Sequence, residues 1–234
     1  YIFVTSPSFK SHFVKQFDIS EQKITYLPQY AEDLFIPDES IVNKESVDLT
    51  FAGNIGKAQN LETILKAASL IEKNTDLPKK IHFHFVGDGT ELLSMKALAH
   101  ELELKNVSFY GRRSLEEMPT FYKKSDAMLV SLIGDSIVSR TIPGKVQSYM
   151  AAGKPIIGAI SGDTKTIVEE ANCGYVSSEQ DVEQLAQNIC EFSMLSIEEQ
   201  KELGKQARSY YEKHFSKEQF MTQLEKYLRE EFSS

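Results

Sequence analysis

The chain is short of cysteine, of net positive charge and of long apolar runs. Cys173 and Cys190 are the only two cysteines in 234 residues. They are too few for a disulfide framework and lack CxxC spacing, which favours a reducing compartment. Lys and Arg total 26 against 34 Asp and Glu, a formal charge of −8. The cations are scattered, whereas sequence-independent nucleic-acid or anionic-membrane binding needs a basic stripe. No apolar run approaches the ~18 residues of a membrane-spanning helix. No signal-peptide pattern is present. The chain begins without Met in the apolar stretch Tyr1-Ile2-Phe3-Val4, which reads as the interior of a longer polypeptide.

Several chemistries are missing as well. No Gly-Lys pair is followed by Ser or Thr, so there is no Walker A loop. No two Asp residues stand two apart, so there is no DxD metal clamp, and no GxSxG elbow occurs. The five histidines form no ligand pair at helical spacing. His82 and His84 share one face of a strand, a half-buried face rather than a metal site.

What is present is alternation. Apolar runs rich in β-branched and aromatic residues recur at 24–27, 47–52, 81–86, 107–110, 127–132, 155–160 and 174–177. Helix-period faces lie between them: Leu61, Ile64, Leu65, Ala68 and Ile71, then Leu92, Met95, Leu98, Ala99 and Leu102, then Val182, Leu185, Ile189 and Phe192. Strand and helix in repeated alternation predict a doubly wound parallel α/β sheet with right-handed crossovers. Residues 1–40 read as an arm, with a strand at 2–5, a helix at 8–17, a second strand and a loop from Pro28 to Pro37. Residues 41–215 read as the main domain. Ser196 and Glu199 open a helix with a capping-box pattern. Ser216 caps a terminal helix over 216–234 whose apolar stripe is Phe220, Leu224, Tyr227 and Leu228.

Ligands of such sheets bind beyond the carboxyl ends of the strands. After 47–52 comes Gly53-Asn54-Ile55-Gly56-Lys57-Ala58-Gln59-Asn60, where two glycines allow a tight turn and Lys57 adds charge. This is a phosphate-loop candidate or a plain βα turn. Gly87-Asp88-Gly89 lacks a third glycine and reads as a turn. Gly111-Arg112-Arg113 is a basic pair at a strand end. The richest segment is the polar loop 134–142 leading into Pro143-Gly144-Lys145-Val146-Gln147-Ser148-Tyr149-Met150 and closed by Gly153 and Pro155. Pro143 suits the first helical position and Gly153 the C-terminal cap. A sharply bounded short helix with Lys145 at its positive end can hold a diphosphate.

In order along the chain, the segments Val4-Thr5-Ser6-Pro7-Ser8-Phe9, Lys23–Gln29, Phe51-Ala52-Gly53-Asn54-Ile55-Gly56, Phe85–Gly89, Val107–Gly111, Tyr122–Ala127 and Tyr149-Met150-Ala151-Ala152-Gly153-Lys154-Pro155 resemble the C-terminal, nucleotide-sugar-binding half of GT-B glycosyltransferases. The closest likeness is to family 4 of surface-polysaccharide assembly. The resemblance implies a Rossmann-like domain with C-terminal helices, entered by a crossover from an N-terminal domain outside this sequence. It implies a donor nucleotide sugar, uridine-linked by family analogy, and no metal or other cofactor. The sugar would pass with retention to a glycan or lipid-linked acceptor held by the missing half. Under the resemblance, Gly53, Asn54, Gly56, Lys57, Asn60, Arg140, Thr141, Pro143, Gly144 and Lys145 bind the diphosphate and sugar. Gly111, Arg112, Gln147 and Ser148 bind base and ribose. No catalytic residue is assigned. The family's loop Arg and Lys are Asn54 and Asn60 here, and its two glutamates are Arg140 and Ser148.

The resemblance also implies a cytoplasmic enzyme, peripheral on the inner membrane face through the missing half, with the fragment inactive alone. Two other functions stay open. One is a nucleotide-sugar epimerase of the same architecture, for which Asp135 alone is no convincing acid/base set. The other is a non-catalytic nucleotide-sugar-binding subunit.

Overall fold

The computed structural model describes residues 2–38, 45–74, 77–133 and 141–232. The arm opens with β1 (Ile2–Val4), α1 (Pro7–Phe17) and β2 (Ile24–Tyr26). β1 and β2 pair in parallel as a separate two-stranded sheet, Ile2 beside Ile24. The main domain alternates β3 (Ser46–Ala52), α2 (Leu61–Glu72), β4 (Lys80–Val86), α3 (Leu92–Glu101), β5 (Val107–Gly111), α4 (Met118–Lys124), β6 (Ala127–Ser131), α5 (Gly144–Ala151), β7 (Ile156–Ala159), α6 (Gly162–Glu170) and β8 (Gly174–Ser177). Three helices finish the chain: α7 (Val182–Met194), α8 (Ile197–His214) and α9 (Lys217–Phe232).

β3 to β8 form one parallel sheet in the order β5-β4-β3-β6-β7-β8. The expected doubly wound α/β fold is therefore what the chain adopts. The period-2 alternation of β3 sorts its side chains between two cores. Val47, Leu49 and Phe51 join Phe83 and Phe85 under α2, α3 and α7. Ala52 faces the other way and joins Met128, Val130, Tyr149 and Met150 with α5, α6, α8 and the arm. All predicted residues of the α2 stripe are buried, Leu65 and Ala68 completely.

Three local expectations shift. α4 and α6 are not evident from apolar periodicity. α6 (GDTKTIVEE) buries only Thr164, Ile167 and Val168, too sparse a stripe to show as a period. Pro143 is the residue before the first helical turn of α5, with φ −64° and ψ 136°, rather than its first member. Gly153 takes the left-handed position after the helix at φ +63°, as a helix stop requires. The capping box of Ser196 and Glu199 forms as predicted. Ser216 Oγ accepts the Gln219 N–H at the start of α9.

α9 returns along the arm. Phe3 meets Tyr227 edge-on at 6.0 Å between ring centroids, and Tyr30 meets Phe220 at 5.1 Å. No helix among the described residues is long and apolar enough to cross a membrane.

Candidate functional site

The strand order reverses between β3 and β6, so the crevice of this sheet opens where those two strands end. Three loops are tied together there. Gly53 N–H donates to Val86 O at 2.9 Å, Gly87 N–H to Gly111 O at 2.9 Å, and Ile55 N–H to Asp88 O at 2.8 Å. Gly87 sits at φ +147°, and a Cβ on it would run into the Gly53 carbonyl. The glycines of the turn after β4, Gly87 and Gly89, are thus required by backbone approach.

α5 is fastened to the same edge from the other side of the switch point. The fully buried Tyr149 accepts the Ala52 N–H at 2.9 Å and donates to the Ala52 carbonyl at 3.0 Å. Burial pushes its phenol well above the usual range. That bridge brings the free N–H groups at the start of α5 beside the loop after β3. Lys145 lies between them. Its Nζ donates to Gln59 Oε1 at 2.7 Å and stands 3.8 Å above the Phe51 ring. Gly53 leaves it room, since a Cβ there would lie 3.1 Å from Nζ. Desolvation pushes the Lys145 pKa from 10.5 down to about 7. Among the described residues this half-buried ammonium is paired with no carboxylate, and it would gain from an anion.

These elements border an open cleft of about 970 Å³. Of the residues singled out from the sequence, Gly53, Asn54, Gly144, Lys145, Ser148 and Arg112 line it. Gly56, Lys57, Asn60, Gly111, Thr141, Pro143 and Gln147 are near in sequence but do not. Asn60 spends its side chain on Thr63, donating to Oγ1 at 2.8 Å across the first turn of α2. Lys57 is exposed on a short 3₁₀ turn. Gln147 is 1% exposed, and neither its amide oxygen nor its amide nitrogen has a hydrogen-bond partner. Ser148 does face the cleft, while its Oγ donates to Gly144 O at 3.2 Å. Arg140 and Asp135 lie outside the described residues.

Two walls escaped the motif reading. The Gly87-Asp88-Gly89 turn lines the cleft, as the rule of strand ends alone would have indicated. The arm supplies Gln29, Tyr30, Ala31, Glu32 and Phe35. No local signal marks these residues, because their place depends on where the arm lands. Phe35 stacks on Tyr122 at 4.8 Å and 18°, which closes one end. His84 is a fixed part of the sheet face, with Nε2 2.9 Å from Asp48 Oδ1 and Nδ1 2.9 Å from the Tyr110 hydroxyl. Among the described residues no group of three or more His, Cys, Asp or Glu is placed to hold a metal ion.

The family model described as glycosyl transferases group 1 matches residues 33–210. The chain belongs to that family. The probable glycosyltransferase WbjE of Pseudomonas aeruginosa is 30% identical to it over 152 residues, 63% of this chain and 36% of that protein. The match thus spans little more than a third of the curated relative's length. The crystal structure of Anabaena Alr3699/HepE in complex with UDP shares the fold at a TM-score of 0.79 and 15% identity, over 97% of this chain and 63% of that one. A glycosyltransferase from Rickettsia africae ESF-5 does so at 0.78 and 18% identity, over 97% and 62%. The group 1 chain is accordingly of GT-B type in architecture, with its cleft at the switch point.

Proposed function

We propose that the cleft binds the nucleoside-diphosphate sugar of a glycosyl transfer, with uridine as the base. The carrying observation is the meeting of the α5 N-terminus, the Gly53 loop and the desolvated Lys145 ammonium at one point. Helix dipole, free N–H groups and a half-buried cation together favour a diphosphate. They stabilise it further as it departs, since charge grows on the leaving group during transfer. Arg112 stands at the cleft wall formed after β5, where the base and ribose would lie with Ser148. Transfer with retention to a glycan or lipid-linked acceptor completes the reading. The acceptor side belongs to the longer protein, and the reaction to the cytoplasmic face of the membrane.

The test is calorimetry of UDP and uridine binding to the wild type and to Lys145→Ala. Removing a charge-assisted contact weakens UDP binding by about 10- to 150-fold, while uridine binding stays within twofold. An equal loss for both ligands refutes the diphosphate role of Lys145.

A further inference from the structure

The arm forms one wall of the cleft, yet it is a run of irregular backbone from 28 to 35 with no strand or helix of its own. Something else must fix it. Three contacts from the C-terminal helices do so. The buried Tyr211 hydroxyl of α8 accepts the Ala31 N–H at 3.2 Å, and both residues are under 10% exposed. Phe220 of α9 packs edge-on against Tyr30. Lys217 of α9 pairs with Asp33 at 3.2 Å and stands 5.9 Å from the Tyr30 ring. The last pair is exposed on both sides, so it contributes least. The first is buried, and its loss would leave an amide unpaired away from water.

These contacts fall on Tyr30, Ala31 and Asp33, around the cleft-lining Tyr30, Ala31 and Glu32. They approach the arm from the helices that follow the sheet, while the Phe35–Tyr122 stack holds its far end. We propose that Tyr211 and Phe220 are positioning residues for the cleft: they hold residues 29–33 where these form the wall facing Gly144 and Lys145. The C-terminal helices then act on ligand affinity without touching ligand. The proposal rests on the donor reading of the cleft.

Tyr211→Phe keeps the core ring and removes only the acceptor. Phe220→Ala removes the aromatic contact, and Phe220→Tyr restores it. Two readouts are taken, amide hydrogen exchange across residues 29–35 and calorimetric affinity for UDP. With the clamp in place, Tyr211→Phe and Phe220→Ala speed exchange in the arm about fivefold or more and weaken UDP binding about fivefold, the equivalent of one net hydrogen bond. Exchange in β3 and β4 stays unchanged, and Phe220→Tyr behaves as wild type. Arm exchange and UDP affinity that match wild type in both variants overturn the proposal. So does a loss of protection spread evenly over the sheet, which marks a purely structural role. Wild-type protein that binds no UDP overturns the donor reading instead, and arm exchange then still decides whether the clamp exists.

Discussion

If the cleft holds a diphosphate as proposed, Lys145 makes its binding a proton-linked event. With the pKa pushed to about 7 by desolvation, about one-tenth of Lys145 is protonated in the free protein at pH 8. An anion within 4–6 Å raises such a pKa by about 1–3 units. At an occupied-state value two or three units higher the group is more than nine-tenths protonated, so UDP binding at pH 8 takes up about 0.8–0.9 proton. Calorimetry at pH 8 in buffers of different ionisation enthalpy reads this number as the slope of observed heat against buffer heat. The same linkage makes UDP affinity fall with rising pH, by up to about tenfold per unit above pH 7 until the occupied-state pKa is reached. Lys145→Met should abolish both effects. A wild-type slope near zero, or an equal slope in Lys145→Met, refutes the reasoning. Stability carries the opposite sign. The folded pKa lies below the unfolded one, so the unfolded chain holds more protons between about 7 and 10.5. Across that window the penalty from Lys145 is relieved as pH rises, and below it the penalty is present in full.

Three further substitutions separate backbone need from ligand contact. Gly87→Ala puts a Cβ into the Gly53 carbonyl at φ +147°, whereas Gly111→Ala at φ +69° meets no heavy atom within 4 Å. Urea denaturation should show a loss of more than about 3 kcal/mol for the first and about 1–2 kcal/mol for the second, and equal losses would deny the close approach of the loops. Gln147→Met replaces a buried amide whose two polar atoms are unpaired. It should leave UDP affinity unchanged and stabilise the fold by about 1–2 kcal/mol, while a drop in UDP affinity would return Gln147 to the ligand.

Much of the fold was legible because burial leaves a periodic trace. Leu61, Ile64, Leu65, Ala68 and Ile71 show helical spacing because one face of α2 must reach the sheet. The run at β6 shows strand character because its residues are buried on both faces, and those at β3 and β4 because alternate residues are buried along most of each strand. α6 escaped because a half-exposed helix with three buried residues leaves almost no period. The site was legible where glycine or a charged side chain stands at a strand end, as with Gly53, Asn54, Gly144 and Lys145. Adjacency along the chain does not bring Asn60 or Gln147 to the cleft wall. One is consumed by the turn it starts, and the other is turned into the interior by the helical 100° step.

Alternation of apolar runs, the placement of Gly and Pro, and the charge balance determined the α/β architecture and the two loops proposed to hold the diphosphate. These are local properties, written wherever a residue must adopt one backbone shape or bury one face. The tertiary structure alone decided which strand ends meet, that Tyr149 ties α5 to Ala52, that Lys145 is desolvated, and that the arm is a wall of the cleft. Each of these depends on contacts between residues far apart in the chain, for which no short stretch of sequence holds both partners.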